Sequence, residues 1–412
     1  MKDVQKMQTQ PAPRAQSILF AAPHRSMFFL GGVMLLVAFI LWALELASRV
    51  GLTPVLPWTL PPGWMHALLV LGGVFPPFMF GFLLTAMPRW QGEHDVTQSM
   101  WLWPWRFLVA GWAVTVAGTL VPGLLAIGLL LVLVGWWGVG RVLRRVAYND
   151  NPDSLHARLV WCAIAAGGFA VVAWLGFAIS GNGIFGRVAI DVGVWWFMLP
   201  VFFTVCHRMI PFFSSNIIEG YVMVRPRWVI AVIIGAAVAH GALSIAGANA
   251  LTWIVDAPAA AIALWLSWKW RLVPSLRVPL LGMLHIGFAW LGVGFAMSAV
   301  QSVAALAGNA VLGLAPLHAI GIGFFASVLL AMVSRVTLGH SGNKLVADRL
   351  TWGLFLGLEL VALTRILAEI VPPASSAGVM LAAVLGWLAV FGAWAMRYLP
   401  VYLRPRSDGR PG

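Results

Sequence analysis

Nine histidines are the groups best equipped for chemistry in this chain: His24, His66, His94, His156, His207, His240, His285, His318 and His340. Imidazole is the common protein ligand for haem iron and copper, and two rings facing each other across a helix bundle can hold a haem. Asp256 and Glu359 stand in apolar surroundings, where a carboxylate relays protons or accepts a hydrogen bond from a ligating histidine. Glu45/Arg49 and Arg365/Glu369 have the i,i+4 spacing of ion pairs that neutralise one another along a helix. For any one buried histidine the plainer role is a hydrogen bond to a backbone carbonyl or to Ser/Thr. Several within one apolar bundle point instead toward a cofactor. The two cysteines, Cys162 and Cys206, form no CxxC, CxxCH or zinc-type spacing. That leaves no c-type haem attachment and no thiol redox centre, so any haem is b-type.

Composition says what must hold these groups. Apolar residues make up 61% of the 412 positions, charged residues 9%, and the mean hydropathy is +0.90. A water-soluble domain carries roughly 25% charged residues, so lipid must cover much of this surface. The 23 Trp and 43 Gly agree: Trp favours the headgroup belt and Gly permits close helix contacts. The net charge of +13 is dispersed over short loops between apolar runs, which excludes a nucleic-acid surface.

A bilayer core of roughly 30 Å takes about 20 helical residues to cross. Twelve runs qualify: 26–48, 64–87, 102–121, 123–142, 157–180, 189–209, 227–246, 250–268, 278–302, 309–334, 350–370 and 377–398. Val121-Pro122-Gly123 divides the crowded third and fourth. With both ends inside, every Lys and Arg falls on inner segments except Arg49, Arg187 and Arg365, the asymmetry expected of cytoplasmic loops. The expected organisation is all-α: a cytoplasmic tail over 1–25, one membrane domain over 26–400 and a cytoplasmic tail over 401–412. The polar first 25 residues lack an apolar core, so the first span serves as the insertion signal. No internal repeat is visible, and Pro76-Pro77, Pro200 and Pro258 mark kinks or breaks.

Depth follows from a rise of about 1.5 Å per residue. His66 opens the second span from the outer face, His240 lies in the outer half of the seventh, and His318 lies near the middle of the tenth. These three can converge at one level as metal or cofactor ligands. His285 falls in the inner half, His24, His207 and His340 near the inner boundary, and His94 and His156 in solvated inner loops.

Several stretches resemble the NnrS family of bacterial membrane proteins. They are Pro23-His24-Arg25 through Gly31, Trp64-Met65-His66-Ala67 with Gly81 through Trp90, and Arg208-Met209-Ile210-Pro211-Phe212-Phe213. The most specific runs from Leu317-His318-Ala319 to Met332-Val333-Ser334-Arg335-Val336-Thr337-Leu338-Gly339-His340-Ser341-Gly342, and Leu284-His285-Ile286-Gly287 adds a ninth-span histidine. The resemblance implies a twelve-helix haem- and copper-containing inner-membrane protein tied to nitric oxide and nitrosative stress. It implies His66, His285, His318 and His340 as ligands, with His24 and His207 behind them, and Arg335 as partner of a propionate or of loop carbonyls. Members often carry His-x-His-Glu at the start of the second span, where this chain has His66-Ala67-Leu68-Leu69. Losing that histidine and carboxylate weakens copper more than haem.

The expected function is therefore binding or turnover of nitric oxide, or another small diatomic, at a histidine-ligated haem served by an unidentified electron donor. A haem–copper oxidase subunit is disfavoured because no His-His dipeptide occurs. The alternative is a permease for a small solute or metal ion working through Asp256 and Glu359.

Overall fold

The computed structural model describes residues 18–409. Lys2, Lys6, Arg14 and Arg410, counted above with the inner-face charges, lie outside the described residues. The rest is helical, in twelve long elements: α1 Pro23–Arg49, α2 Pro62–Trp90, α3 Gln98–Gly118, α4 Leu124–Ala147, α5 Leu155–Ser180, α6 Gly183–Ser215, α7 Arg227–Ile245, α8 Trp253–Lys269, α9 Pro279–Leu306, α10 Ala315–His340, α11 Arg349–Leu367 and α12 Pro373–Leu403. Ten of the described helices are long and apolar enough to cross a bilayer; α8 is shorter, at 17 residues, and α3 carries Arg106 within its length. Lipid-facing stripes follow the helical period, as in Leu356, Leu360, Leu363 and Leu367 of α11, all exposed.

Three helices differ from the others. Each of α2, α6 and α10 contains a π-helical stretch, at Leu69–Val74, Val192–Met198 and Ala319–Ala326. Pro76-Pro77 and Pro200 stand just beyond the first two stretches. The wider turn takes up the missing proline N–H groups, so these helices continue where breaks were expected. The same three helices bury 72%, 78% and 78% of their most apolar stretches. Apart from α9 at 67%, the other spanning helices bury 33–50%.

This irregularity recurs every fourth helix and exposes a repeat that the sequence conceals. Within each unit the first helix packs on the second and the third on the fourth; α4–α5, α8–α9 and α12–α1 contacts join three such units into a closed ring. At its centre Phe75, Phe202 and Phe325, one from each π-bearing helix, meet at centroid separations of 4.9–6.1 Å.

Lipid supplies no hydrophobic drive between helices, so close packing has to supply cohesion. The α3–α4 pair shows how. A Cβ at Gly118 would strike the Leu125 backbone, one at Gly128 the Thr115 backbone, and one at Gly111 the Val132 backbone. Gly123, at φ 86°, makes the intervening turn that Val121-Pro122-Gly123 announced.

Gly128→Val forces methyls into the α3 backbone and costs at least about 1–3 kcal/mol. The thermal midpoint of the detergent-solubilised protein falls accordingly. Gly140→Ala, on the same helix in open space, leaves the midpoint unchanged or raised; a Gly128→Val protein melting like wild type would refute close packing as the source of cohesion.

Candidate functional site

The N-terminal ends of α2 and α10 carry His66 and His318, each within the first turns of its helix. The tenth helix begins at Ala315 rather than 309, because Leu312 and Gly313 adopt positive φ ahead of it. His318 is therefore at the end of its span instead of the middle, and it remains level with His66. The two rings lie within electrostatic reach of one another and of Arg365 on α11. His66 is stacked on Trp42 at 4.6 Å and meets Phe39 edge-on, and its Nδ1 is buried with no hydrogen-bond partner. His318 Nδ1–H donates to the Leu314 carbonyl at 2.9 Å. That bond fixes the tautomer and leaves Nε2 with its lone pair, as in ligating histidines. Both rings retain accessible surface, which an incoming axial bond requires.

A second pair lies at the opposite end of α10, formed with α1. His24, in the first turn of α1, and His340, the last residue of α10, have ring centroids 4.5 Å apart. Thr85 gives its hydroxyl proton to the Gly81 carbonyl at 2.8 Å, so it can only accept from His24 Nδ1, at 3.4 Å. His24 and Arg25, at the end of the expected cytoplasmic tail and near the inner boundary, are buried. Arg25 donates to the Tyr402 and Arg404 carbonyls, and Tyr402 is bonded through its hydroxyl to Thr337. The C-terminal segment thus closes this end.

His156 is likewise buried instead of solvated, because α5 starts at Leu155 and draws it into the bundle. His207 Nε2–H donates to the Pro226 carbonyl at 3.3 Å, and His207 Nδ1 accepts from His156 Nε2–H at 3.1 Å. The chain of donors ends on His156 Nδ1, buried and unpartnered. His285 is bonded to Ser214 of α6 at 2.9 Å. Only His94 is exposed as expected of a loop residue.

His240 stands apart from His66 and His318, in the second four-helix unit. Its Nδ1 lies 2.8 and 3.0 Å from the two oxygens of the fully buried Asp256, and its ring is stacked on Trp195 at 3.6 Å. Glu359 accepts from Trp290 Nε1 at 2.6 Å and Ser327 Oγ at 2.8 Å. Arg335 lies over Phe213 at 3.9 Å, about 25 Å of helix away from His318. It cross-links α10 to α6, as Arg208 over Trp90 links α6 to α2. The cation nearest the pair of His66 and His318 is instead Arg365, ion-paired with Glu369 at 2.6 Å. Its i,i+4 spacing read as structural only; its depth, level with His66 and His318, was the overlooked signal. For His156 the overlooked signal was Pro152-Asp153-Ser154, a helix-start pattern just before it.

Fold and sites together define a polytopic helical membrane protein with paired histidines inside its bundle. No curated protein matches the chain. The NnrS protein profile matches residues 18–406, and the chain belongs to the NnrS family. That family comprises haem- and copper-associated bacterial membrane proteins linked to the nitric oxide response, and the chain is a multi-pass protein of the bacterial inner membrane. Among the described residues no group of three or more His, Cys, Asp or Glu could hold a metal ion.

Asp256→Ala leaves His240 Nδ1–H buried without an acceptor and lowers stability by about 1–3 kcal/mol. Adding His240→Phe recovers part of that loss, giving a coupling energy in a double-mutant cycle of thermal midpoints. Strict additivity would show that the pair does not interact.

Proposed function

We propose that this protein binds haem between His66 and His318 and acts through it in the response to nitric oxide. The observation that carries the reading is the outer pair itself: His66 Nδ1 is buried without a partner, and the His318 tautomer leaves Nε2 as a lone-pair donor. Two neutral imidazoles with accessible faces suit haem iron, whose macrocycle supplies the remaining ligands. Arg365 stands near both rings as a counter-charge for a propionate, the part earlier expected of Arg335. When bound, haem would supply one-electron chemistry and an iron atom able to bind nitric oxide. The chain's own residues set the tautomers, hold the rings and exclude water. Copper has weaker support, since its sites take three or more ligands of this kind.

The permease reading has less behind it. Asp256 is engaged by His240, and Glu359 by Trp290 and Ser327. Both carboxylates have structural work that leaves no transport role to explain.

Orientation belongs to the same proposal. Both described ends lie at one face of the bundle, with Arg89, Arg208, Arg335 and Arg397, and we place that face in the cytoplasm on the charge asymmetry. A periplasm-dependent reporter fused after residue 409 stays inactive and becomes active when fused after Leu52; the reverse pattern overturns the orientation.

The central test is an optical spectrum of protein purified with adequate haem supply. A Soret band is expected that shifts on reduction with dithionite and again on adding nitric oxide. His66→Ala and His318→Ala each abolish or shift it, while His94→Ala leaves it intact. A colourless wild-type protein overturns the haem reading and returns attention to transport through Asp256 and Glu359.

A further inference from the structure

Midway between the outer and inner histidine pairs, the three π-bearing helices do not pack to full density. With Phe28 of α1 they line a partly open cavity of about 40 Å³ whose walls are wholly apolar, among them Phe78 and Met79 of α2, Val201 and Val205 of α6, and Leu329 and Val333 of α10. That space exceeds the roughly 10–15 Å³ that one water needs, yet a water there would find none of the two to four polar partners it requires. An ion is excluded more strongly, since nothing would repay its lost hydration. What fits is small, uncharged and weakly hydrated.

The surroundings narrow the occupant further. The Phe75, Phe202 and Phe325 rings meet on the side of His66 and His318. Toward the other end, Phe82 and Val336 are shared with a second cavity of about 120 Å³, which Thr85, Arg89, Trp90 and His340 line. Along α10 the cavity spans Val328 to Val336, inside the interval from His318 to His340. An apolar pocket deep in a bilayer protein is fed by the hydrocarbon phase, where nonpolar gases are more soluble than in water.

We propose that this central cavity is a binding site for one molecule of a small apolar gas, of the size of a diatomic. Its assignment to nitric oxide rests on the functional reading above; the site itself does not.

Xenon is the probe, applied under pressure to crystals of the full-length wild-type protein. A xenon peak is expected among Phe78, Val201, Leu329 and Val333. Val333→Phe fills the space and abolishes that peak, while xenon bound elsewhere in the same crystals persists. Val333→Ala enlarges the cavity and raises its occupancy, which keeps the test valid if the phenylalanine variant does not fold. No wild-type peak, an ordered water in its place, or a peak indifferent to both substitutions overturns the proposal. A peak in colourless protein sustains the gas site while the haem reading falls; a Soret band without a peak does the opposite.

Discussion

Inside a bilayer a polar group has no solvent to fall back on, and the architecture of this protein follows from satisfying most of them internally, with exceptions such as His66 Nδ1 and His156 Nδ1. Indole N–H groups are turned onto carbonyls of neighbouring helices: Trp136 onto Ile164, Trp161 onto Gly140, Trp196 onto Val238. The buried Asp256 accepts from His240, and Glu359 accepts from two helices besides its own. Each such bond is directional and connects different helices. In a medium that gives no hydrophobic drive, these bonds and the glycine contacts of α3 and α4 set how the helices meet.

The π-helical stretches show the same constraint applied to backbone. A turn of i→i+5 leaves a carbonyl exposed beside it, and in α10 the Ile322 carbonyl lies 3.3 Å from Ser327 Oγ, sharing its single hydroxyl proton with Glu359. The hydroxyl is also within 2.8 Å of Glu359, so the bulge is tied to α11. Such irregular turns are tolerable only where protein surrounds them, and they occur on the three most buried helices. Most of the central cavity's wall comes from the same helices, on the segments that follow their π-helical stretches.

Much of the fold was legible because hydropathy and punctuation act locally. All twelve runs correspond to helices, and even the weak break at Val121-Pro122-Gly123 became a turn through a glycine at positive φ. The errors came from features with no local signature. The start of α10 moved to Ala315 because Leu312 and Gly313 interrupt an apolar run that hydropathy reads as continuous. His156 entered the core because a neighbouring helix offered His207 as a partner, which spacing along one chain cannot reveal. The fourfold helix period escaped because it lies in backbone geometry and contacts, while the side chains of the three units have diverged. The sequence grouped His66 and His318 with His240 by depth and put His318 near mid-span, whereas both lie in the first turns of helices that start from one face. His240 shares their depth but not their sector, and depth arithmetic carries no angular information.

The departure from the family pattern at the second helix can now be weighed physically. Where members carry a further histidine and a carboxylate, this chain has Ala67, Leu68 and Leu69, and the two leucines are buried in the apolar core. Polar ligands there would need partners that the surrounding side chains do not offer. The site is thus reduced to two imidazoles with a nearby cation, Arg365, already balanced by Glu369. Copper held by protein alone would need more donors than this. On the haem reading proposed above, the group would bring nitrogen ligands and negative propionates of its own, so the chain would supply only the two rings, with Arg365 shared between Glu369 and a propionate. On that reading, the substitutions that would weaken copper would leave what haem needs from the chain intact.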